Sequence, residues 1–223
     1  MLLLASISFV IFIGYFQYQY HIFGNRYGLA TFIPMLVLFF AAYYFDHLGV
    51  LSLAITNLAA WVGISVTPLH LIQANDFNDS VIIITGVLLG VFLVVLSLIT
   101  DHQKLKSHFA FTYCNFGVHL LFVSLLAAIF HFNWYMIWLM LLLATGLFFY
   151  RKAYKEKSFY FLLITTLYSY IGISYVFLQL LVMMPNPEMG TIYLGLFYFI
   201  GSGIGLVLFL MNNNKKLKAH DSV

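Results

Sequence analysis

Ile55-Thr56-Asn57-Leu58-Ala59-Ala60-Trp61-Val62-Gly63-Ile64-Ser65 returns 109 residues later as Ile164-Thr165-Thr166-Leu167-Tyr168-Ser169-Tyr170-Ile171-Gly172-Ile173-Ser174. Six of the eleven pairs are identical, and the register runs on into Leu69-His70-Leu71 against Leu178-Gln179-Leu180. Leu and Ile coincidences carry little weight in an apolar chain. Thr, Gly and Ser pairs in one fixed register carry more. The stretch is free of charge in both copies, so it sets the class as well as the repeat. Self-similarity of this kind is settled before any other feature is read.

Working outward, composition fixes the solvent. Of 223 residues, 63% are hydrophobic and 8% are charged, against about 25% charged in soluble globular chains. The outer solvent must be lipid. The formal net charge of +3 is small, and its placement matters more than its size. The single cysteine, Cys114, lies in an apolar run; it excludes an intrachain disulfide and is silent on redox compartment.

A bilayer span takes about 20 mainly apolar residues. Eight runs qualify: 2–20, 28–45, 48–66, 80–100, 109–131, 134–150, 159–183 and 190–211. Lipid admits only helices or closed barrels, and the short alternating segments of a barrel are missing. The expected fold is therefore all-α: a polytopic membrane helical bundle of eight transmembrane helices. Met1 opens directly on apolar sequence with no basic n-region, which argues against a cleaved signal peptide.

The connections are short and polar. His21 to Tyr27 closes the first hairpin, and Asp46-His47 closes the second almost without a loop. Asn78, Asp79 and Ser80 are candidate caps for the fourth helix. Arg151 to Ser158 reads as a basic loop, Met184-Pro185-Asn186-Pro187-Glu188 as a rigid turn, and the chain ends in a Lys-rich tail. With eight spans, Lys104, Lys106, Arg151, Lys152, Lys155, Lys157, Lys215, Lys216 and Lys218 share one side, and only Arg26 lies opposite. The positive-inside rule makes that side, with both termini, cytoplasmic. Tyr43, Tyr44, Tyr150 and Tyr160 fall at the inner interface, and Tyr18, Tyr20, Trp134 and Tyr135 at the outer one, as an aromatic belt requires.

The duplicated stretches fall on the third and seventh helices, which point the same way. The expected architecture is a tandem parallel repeat of a four-helix unit: residues 1–106, then 107–218, with 219–223 as a cytoplasmic tail end. Phe39-Phe40 against Phe148-Phe149, and Lys104-Leu105-Lys106 against Lys216-Leu217-Lys218, agree with it. Parallel copies imply a pseudo-two-fold axis along the membrane normal. Thr56, Ala60 and Gly63, with Asn57 beside them, form one helical face; Thr165, Ser169 and Gly172 form its counterpart. Both faces are expected toward the interior as repeat-interface positions. Gly86-x-x-x-Gly90 and Gly201-x-x-x-Gly205 are expected to pack against other helices of the chain, with homodimerisation as the competing use.

Chemistry is sparse. No Asp, Glu, Lys or Arg sits well inside a span, which counts against an ion-coupled pump but not against a carrier of neutral solutes. The best polar constellation is His108, Thr112, Asn115 and His119 at i, i+4, i+7 and i+11, a stripe from the basic end to mid-membrane. His119 is read either as a relay or solute contact, because histidine titrates near neutrality, or as a neutral histidine bonded to a neighbouring helix. Bis-histidine haem ligation lacks a second intramembrane histidine. His70, Asp76 and Asp79 match no metal spacing, so no metal and no cofactor is expected. Asn78-Asp79-Ser80 is formally a glycosylation sequon, with capping the simpler use. No protease or phosphate-loop motif occurs, so no catalytic residue is expected. The basic loops are explained by topology, so nucleic acid is not an expected partner. The lipid bilayer is, and a membrane-protein partner or a homo-oligomer is a candidate.

Phe16-Gln17-Tyr18-Gln19-Tyr20-His21-Ile22-Phe23-Gly24, an apolar helix, then Tyr44-Phe45-Asp46-His47-Leu48-Gly49-Val50-Leu51-Ser52-Leu53 resemble a bacterial domain-of-unknown-function family of predicted membrane proteins, sometimes found beside GDYXXLXY proteins. The resemblance covers roughly residues 10–70. It implies a bacterial inner membrane and supplies no activity or site residue. Members usually carry a soluble N-terminal segment and earlier membrane helices that residues 1–223 do not include. Two functions stay open: a carrier or channel for a small neutral solute, and a non-catalytic membrane scaffold or assembly partner. An intramembrane enzyme is the weakest reading.

Overall fold

In lipid a backbone bonds to itself or to nothing, and each apolar run has become a helix. The computed structural model describes residues 1–24, 26–66, 79–104, 106–183 and 189–219. Among them are eight helices and no strand: α1 Leu2–Tyr20, α2 Leu29–Phe45, α3 Leu48–Val66, α4 Ser80–Gln103, α5 His108–His131, α6 Tyr135–Lys155, α7 Phe159–Val182 and α8 Met189–Ala219. Seven are long and apolar enough to cross a membrane, and α2 is a shorter apolar helix of 17 residues. At a rise of ~1.5 Å per residue it reaches roughly 25 Å. The expected polytopic all-α bundle is the observed fold. Residues 67–78 and 184–188 lie outside the described residues, and with them Asn78 of the sequon, His70, Asp76 and the Pro185–Pro187 turn.

Helix ends follow local chemistry. Asp79 caps α4, its Oδ1 accepting from the Val81 N–H at 2.8 Å, and Ser158 caps α7. α1, α2 and α4 end on left-handed residues, His21, Asp46 and Lys104. The His21 and Asp46 N–H groups bond back to carbonyls four residues earlier, Gln17 and Ala42. Lys104 N–H reaches the Asp101 carbonyl, three residues back. The turn after α1 is held by a side chain: Gln17, buried, donates from Nε2 to Gly24 O at 3.0 Å and accepts at Oε1 from Phe23 N at 2.9 Å.

Two connections differ from expectation. Arg151 to Lys155 belong to α6 rather than to a loop, and the Lys-rich tail continues α8 to Ala219. Lys and Arg are good helix formers and complement the negative end of the helix dipole. Lys152 also pairs with Glu156 one turn on, at 2.5 Å.

The chain divides into two compact units, Met1–Ser124 and Leu125–Val223. A repeat boundary at residue 106 and a packing boundary within α5 are different quantities, and the second does not decide the first. In the first unit α1 packs on α2 and α3, α2 on α3, and α3 on α4. Leu38 and Ala42 of α2 meet Val50, Leu51, Ala54 and Ile55 of α3, Leu93 of α4, and Phe109 and Tyr113 of α5. α4 and α5 touch backbone to backbone: a Cβ on Gly90 would lie 2.8 Å from Leu121 N, and one on Gly117 2.9 Å from Val94 N. In the second unit α7 packs on α6 and α8.

The surface is that of a lipid-dissolved protein. α1 buries Ser6 and Gln17 and exposes Ile7, Ile11, Phe12 and Tyr15. Apolar atoms facing acyl chains lose nothing, while inward polar groups, Thr165 apart, find partners.

The two copies of the duplicated stretch do not bury the same face. On α7, Thr165 and Gly172 are buried and Ser169 is half-buried, as expected. On α3, Thr56 and Ala60 are exposed, contrary to expectation; Asn57 is buried and Gly63 half-buried. The cause is the Val50-Leu51-Ala54-Ile55 stripe. It fits α2 and leaves Thr56, about 200° round the helix from Ala54, pointing away. Thr56 then satisfies its hydroxyl within its own helix, on Ser52 O at 2.8 Å.

The glycine pairs also part company. Gly86 and Gly90 lie against α5, Gly86 facing the Ser124 hydroxyl. An added Cβ on Gly201 or Gly205 would meet nothing within 4 Å, so among the described residues this pair packs on no helix. The α8 face that does pack presents Tyr198, Ser202 and Asn213.

Candidate functional site

Two places gather chemistry, one in each unit. The first is a polar cluster at the basic end of the first unit. Asp46 ends α2 in a left-handed conformation with its N–H tied to Ala42 O. Its Oδ1 accepts from Lys106 Nζ at 2.9 Å and lies 2.9 Å from His108 Nε2. Lys106 also donates to the carbonyl of Tyr43, and its ammonium lies over the Tyr43 and Phe109 rings. The Tyr43 and Tyr113 hydroxyls bond at 3.0 Å just beneath. His47 caps α3 by accepting at Nδ1 from Val50 N. Asp46-His47 is thus the tight turn expected, with an added ion pair. The Lys106 ammonium bonded to it holds the Asp46 carboxyl below its ordinary value. The group is exposed, so the cluster ties the α2–α3 turn to the start of α5 in a screened setting. The Asp46–Lys106–His108 contact was not foreseen. Its signal was available: the only acid of the second turn shares a membrane side with Lys106 and His108.

This cluster accounts for the first member of the α5 stripe. His108 is exposed and engaged with Asp46. Thr112 is buried, and Asn115 and His119 are half-buried, each with a partner. The four therefore sit in different surroundings along one helix.

The second place is a groove in the second unit, about 470 Å³ in volume, between α6, α7 and α8. Leu143, Leu147, Tyr150 and Phe209 give it apolar walls, and Gly146, Thr165, Thr166 and Ser169 form its floor. Sequence dictates this. Gly146 removes a side chain where α6 approaches Ser169; a Cβ there would lie 3.0 Å from Ser169 Oγ. The α8 wall is hung on hydroxyls: Tyr170 with Ser202 at 3.0 Å, Ser174 with Tyr198 at 3.1 Å, and Tyr154 with Asn213. Phe177 stacks on Tyr198 with centroids 3.9 Å apart. Repeated hydroxyl pairs join helices in lipid where apolar contact gives no advantage over lipid itself.

One atom in the groove stands out. Thr165 is 3% exposed, and among the described residues its hydroxyl oxygen has no hydrogen-bond partner. Thr56, Thr100, Thr145 and Thr166 each donate to the carbonyl four residues back, at 2.7–2.8 Å. Thr165 forgoes that option. A buried polar group left unpaired costs about 1–3 kcal/mol.

A smaller cavity of about 200 Å³ in the first unit lies between Val62 and Gly63 of α3, Thr85 and Gly86 of α4, and Leu120. Among the described residues no three His, Cys, Asp or Glu side chains gather to hold a metal ion. Comparison with family models, curated proteins and solved structures finds no match.

Proposed function

We propose that this is a non-catalytic multi-pass protein that carries a small neutral solute, with both termini cytoplasmic. The resemblance of residues 10–70 supports a bacterial inner membrane as its home. The groove on α6, α7 and α8 carries the reading. Its walls are apolar, its polar groups are uncharged hydroxyls, and its volume falls in the range of roughly 300–1,000 Å³ typical of small-molecule sites. Among the described residues, Asp, Glu, Lys and Arg lie at helix ends or between helices. Nothing there would offset the desolvation of an ion.

The test is solute flux in proteoliposomes. Light scattering after gradients of urea, glycerol and a longer diol should show faster re-swelling than in empty vesicles for at least one solute. Sodium chloride gradients should be unaffected. Equal rates across the panel would refute carriage.

The scaffold reading is favoured by a separate observation. α8 exposes Ile192, Phe197, Ile200, Ile204 and Leu208, with Gly201 and Gly205 uncovered among them. Small residues on a lipid-facing helix suit the close approach of another helix. Recovery of a stoichiometric membrane partner that is lost on Gly201→Leu would favour it.

A further inference from the structure

The geometry points to a lipid-soluble ligand for the α6–α7–α8 groove: a neutral molecule with an apolar body and one carbonyl-type acceptor, received by the hydroxyl of Thr165. This rests on reading the groove as the solute site and narrows the solute, which the water-soluble panel leaves open, to a lipid-soluble one.

Three observations converge on it. The groove is open and its lining is almost wholly apolar, with Leu143, Leu147 and Phe209 as walls, so the body of the ligand must be apolar. Thr165 lines it, and its hydroxyl is buried and, among the described residues, unpartnered, whereas the adjacent Thr166 donates its own to Leu162 O at 2.7 Å. A threonine in a helix has two accessible χ1 rotamers, because one of them bonds the preceding turn. Here that bond is left unmade; the oxygen lies sealed beneath the groove floor, and a ligand's acceptor meets it once χ1 turns it toward the groove. A hydroxyl donor in a dry site selects an acceptor, and one uncharged donor does not offset the desolvation of an anion, so a neutral carbonyl is preferred. Depth agrees as well. Thr165 lies six residues into α7, roughly 9 Å from its start at ~1.5 Å per residue, and Tyr150 marks the groove's upper end near the basic rim of α6.

The test uses the full chain in nanodiscs of ether-linked phospholipid, which lack ester carbonyls. The probes are a long-chain fatty acid methyl ester bearing a diazirine and the matching hydrocarbon without the ester. Photolysis and peptide mapping should place ester adducts on the α6 and α7 segments lining the groove. Thr165→Val should weaken half-saturation by the ester roughly three- to tenfold, the range of one hydrogen bond, and leave the hydrocarbon unchanged. Thr165→Ser keeps the hydroxyl and should bind the ester like the wild type. Gly146→Leu should block both probes. Repeating the assay in ester-linked phospholipid tells whether the bilayer's own ester competes for the site. The assignment is overturned if Thr165→Val binds the ester unchanged, if valine and serine variants lose it equally, or if adducts scatter over the exposed face of α8. Labelling without flux would refute carriage and leave the ligand assignment standing. Flux without labelling would do the reverse.

Discussion

At the scale of single residues, the described polar groups separate by what they bond. Ser97 is 3% exposed and donates its hydroxyl to the Ala110 carbonyl across the α4–α5 contact at 2.7 Å. Ser97→Ala removes this second bond to a helical carbonyl in a dry contact and should cost about 0.5–1.5 kcal/mol, read as a lowered midpoint in detergent unfolding. Asp46 predicts a pH dependence with a definite sign. Its folded carboxyl is depressed by Lys106. Its contribution is therefore fully present above the ordinary carboxylate value of 3.8 and is lost as pH falls below it. Thermal unfolding of the wild type should weaken through that acidic window, and Asp46→Asn should flatten this part of the profile while lowering stability at neutral pH. An unchanged profile would show that Lys106 and His108 do not act through this carboxylate.

At the scale of helices, close approach decides which substitutions matter. Gly90→Ala places a Cβ 2.8 Å from the backbone of Leu121. Backbone cannot swing aside as a side chain can, so α4 and α5 must separate, at about 1–3 kcal/mol. Gly201→Ala meets nothing within 4 Å and should be neutral or slightly stabilising, by up to about 1 kcal/mol of helix propensity. Parallel unfolding of the two variants in one detergent checks the contrast. A cost at Gly201 equal to that at Gly90 would mean that α8 has a partner in the membrane. Sequence exposed both glycine pairs and treated them alike, because Gly-x-x-x-Gly reads the same whether or not a helix lies opposite. Likewise Thr56 and Thr165 occupy matching positions of the two similar stretches, and only the fit of Val50, Leu51, Ala54 and Ile55 against α2 turns the first of them outward.

For the whole molecule, the prediction concerns sidedness. Nine of ten basic residues share one side if all eight helices cross, and the positive-inside rule places that side in the cytoplasm. Reporter fusions after Lys106, after Ser158 and at the C-terminus should all report cytoplasm. A signal from the other side at any one of them would mean that a helix does not cross. The 17-residue α2 with its internal Pro34 is the first to suspect. The tandem repeat has its own test: an experimental structure whose halves superpose with α3 on α7 about the membrane normal would establish it, and any other best pairing would refute it.

By itself, the sequence determined the class, the number of helices among the described residues and, except at the C-terminal ends of α6 and α8, their limits within a few residues. A lipid solvent leaves a chain no way to satisfy its backbone except within each apolar run, so hydropathy alone spells out the elements. It also placed the Asp46-His47 turn and offered Asp79 with Asn78 and Ser80 as caps of α4, features that depend on neighbours in the chain. The inward face of each helix was decided only by tertiary structure. In water an apolar stripe must turn inward and so marks itself. In lipid an outward Ile or Phe costs nothing, and the stripe disappears from the pattern. The pairing of Asp46 with Lys106, the hydroxyl links that hang α8 on α7, and the unbonded hydroxyl of Thr165 all join or isolate groups far apart in the chain, and no local period encodes them.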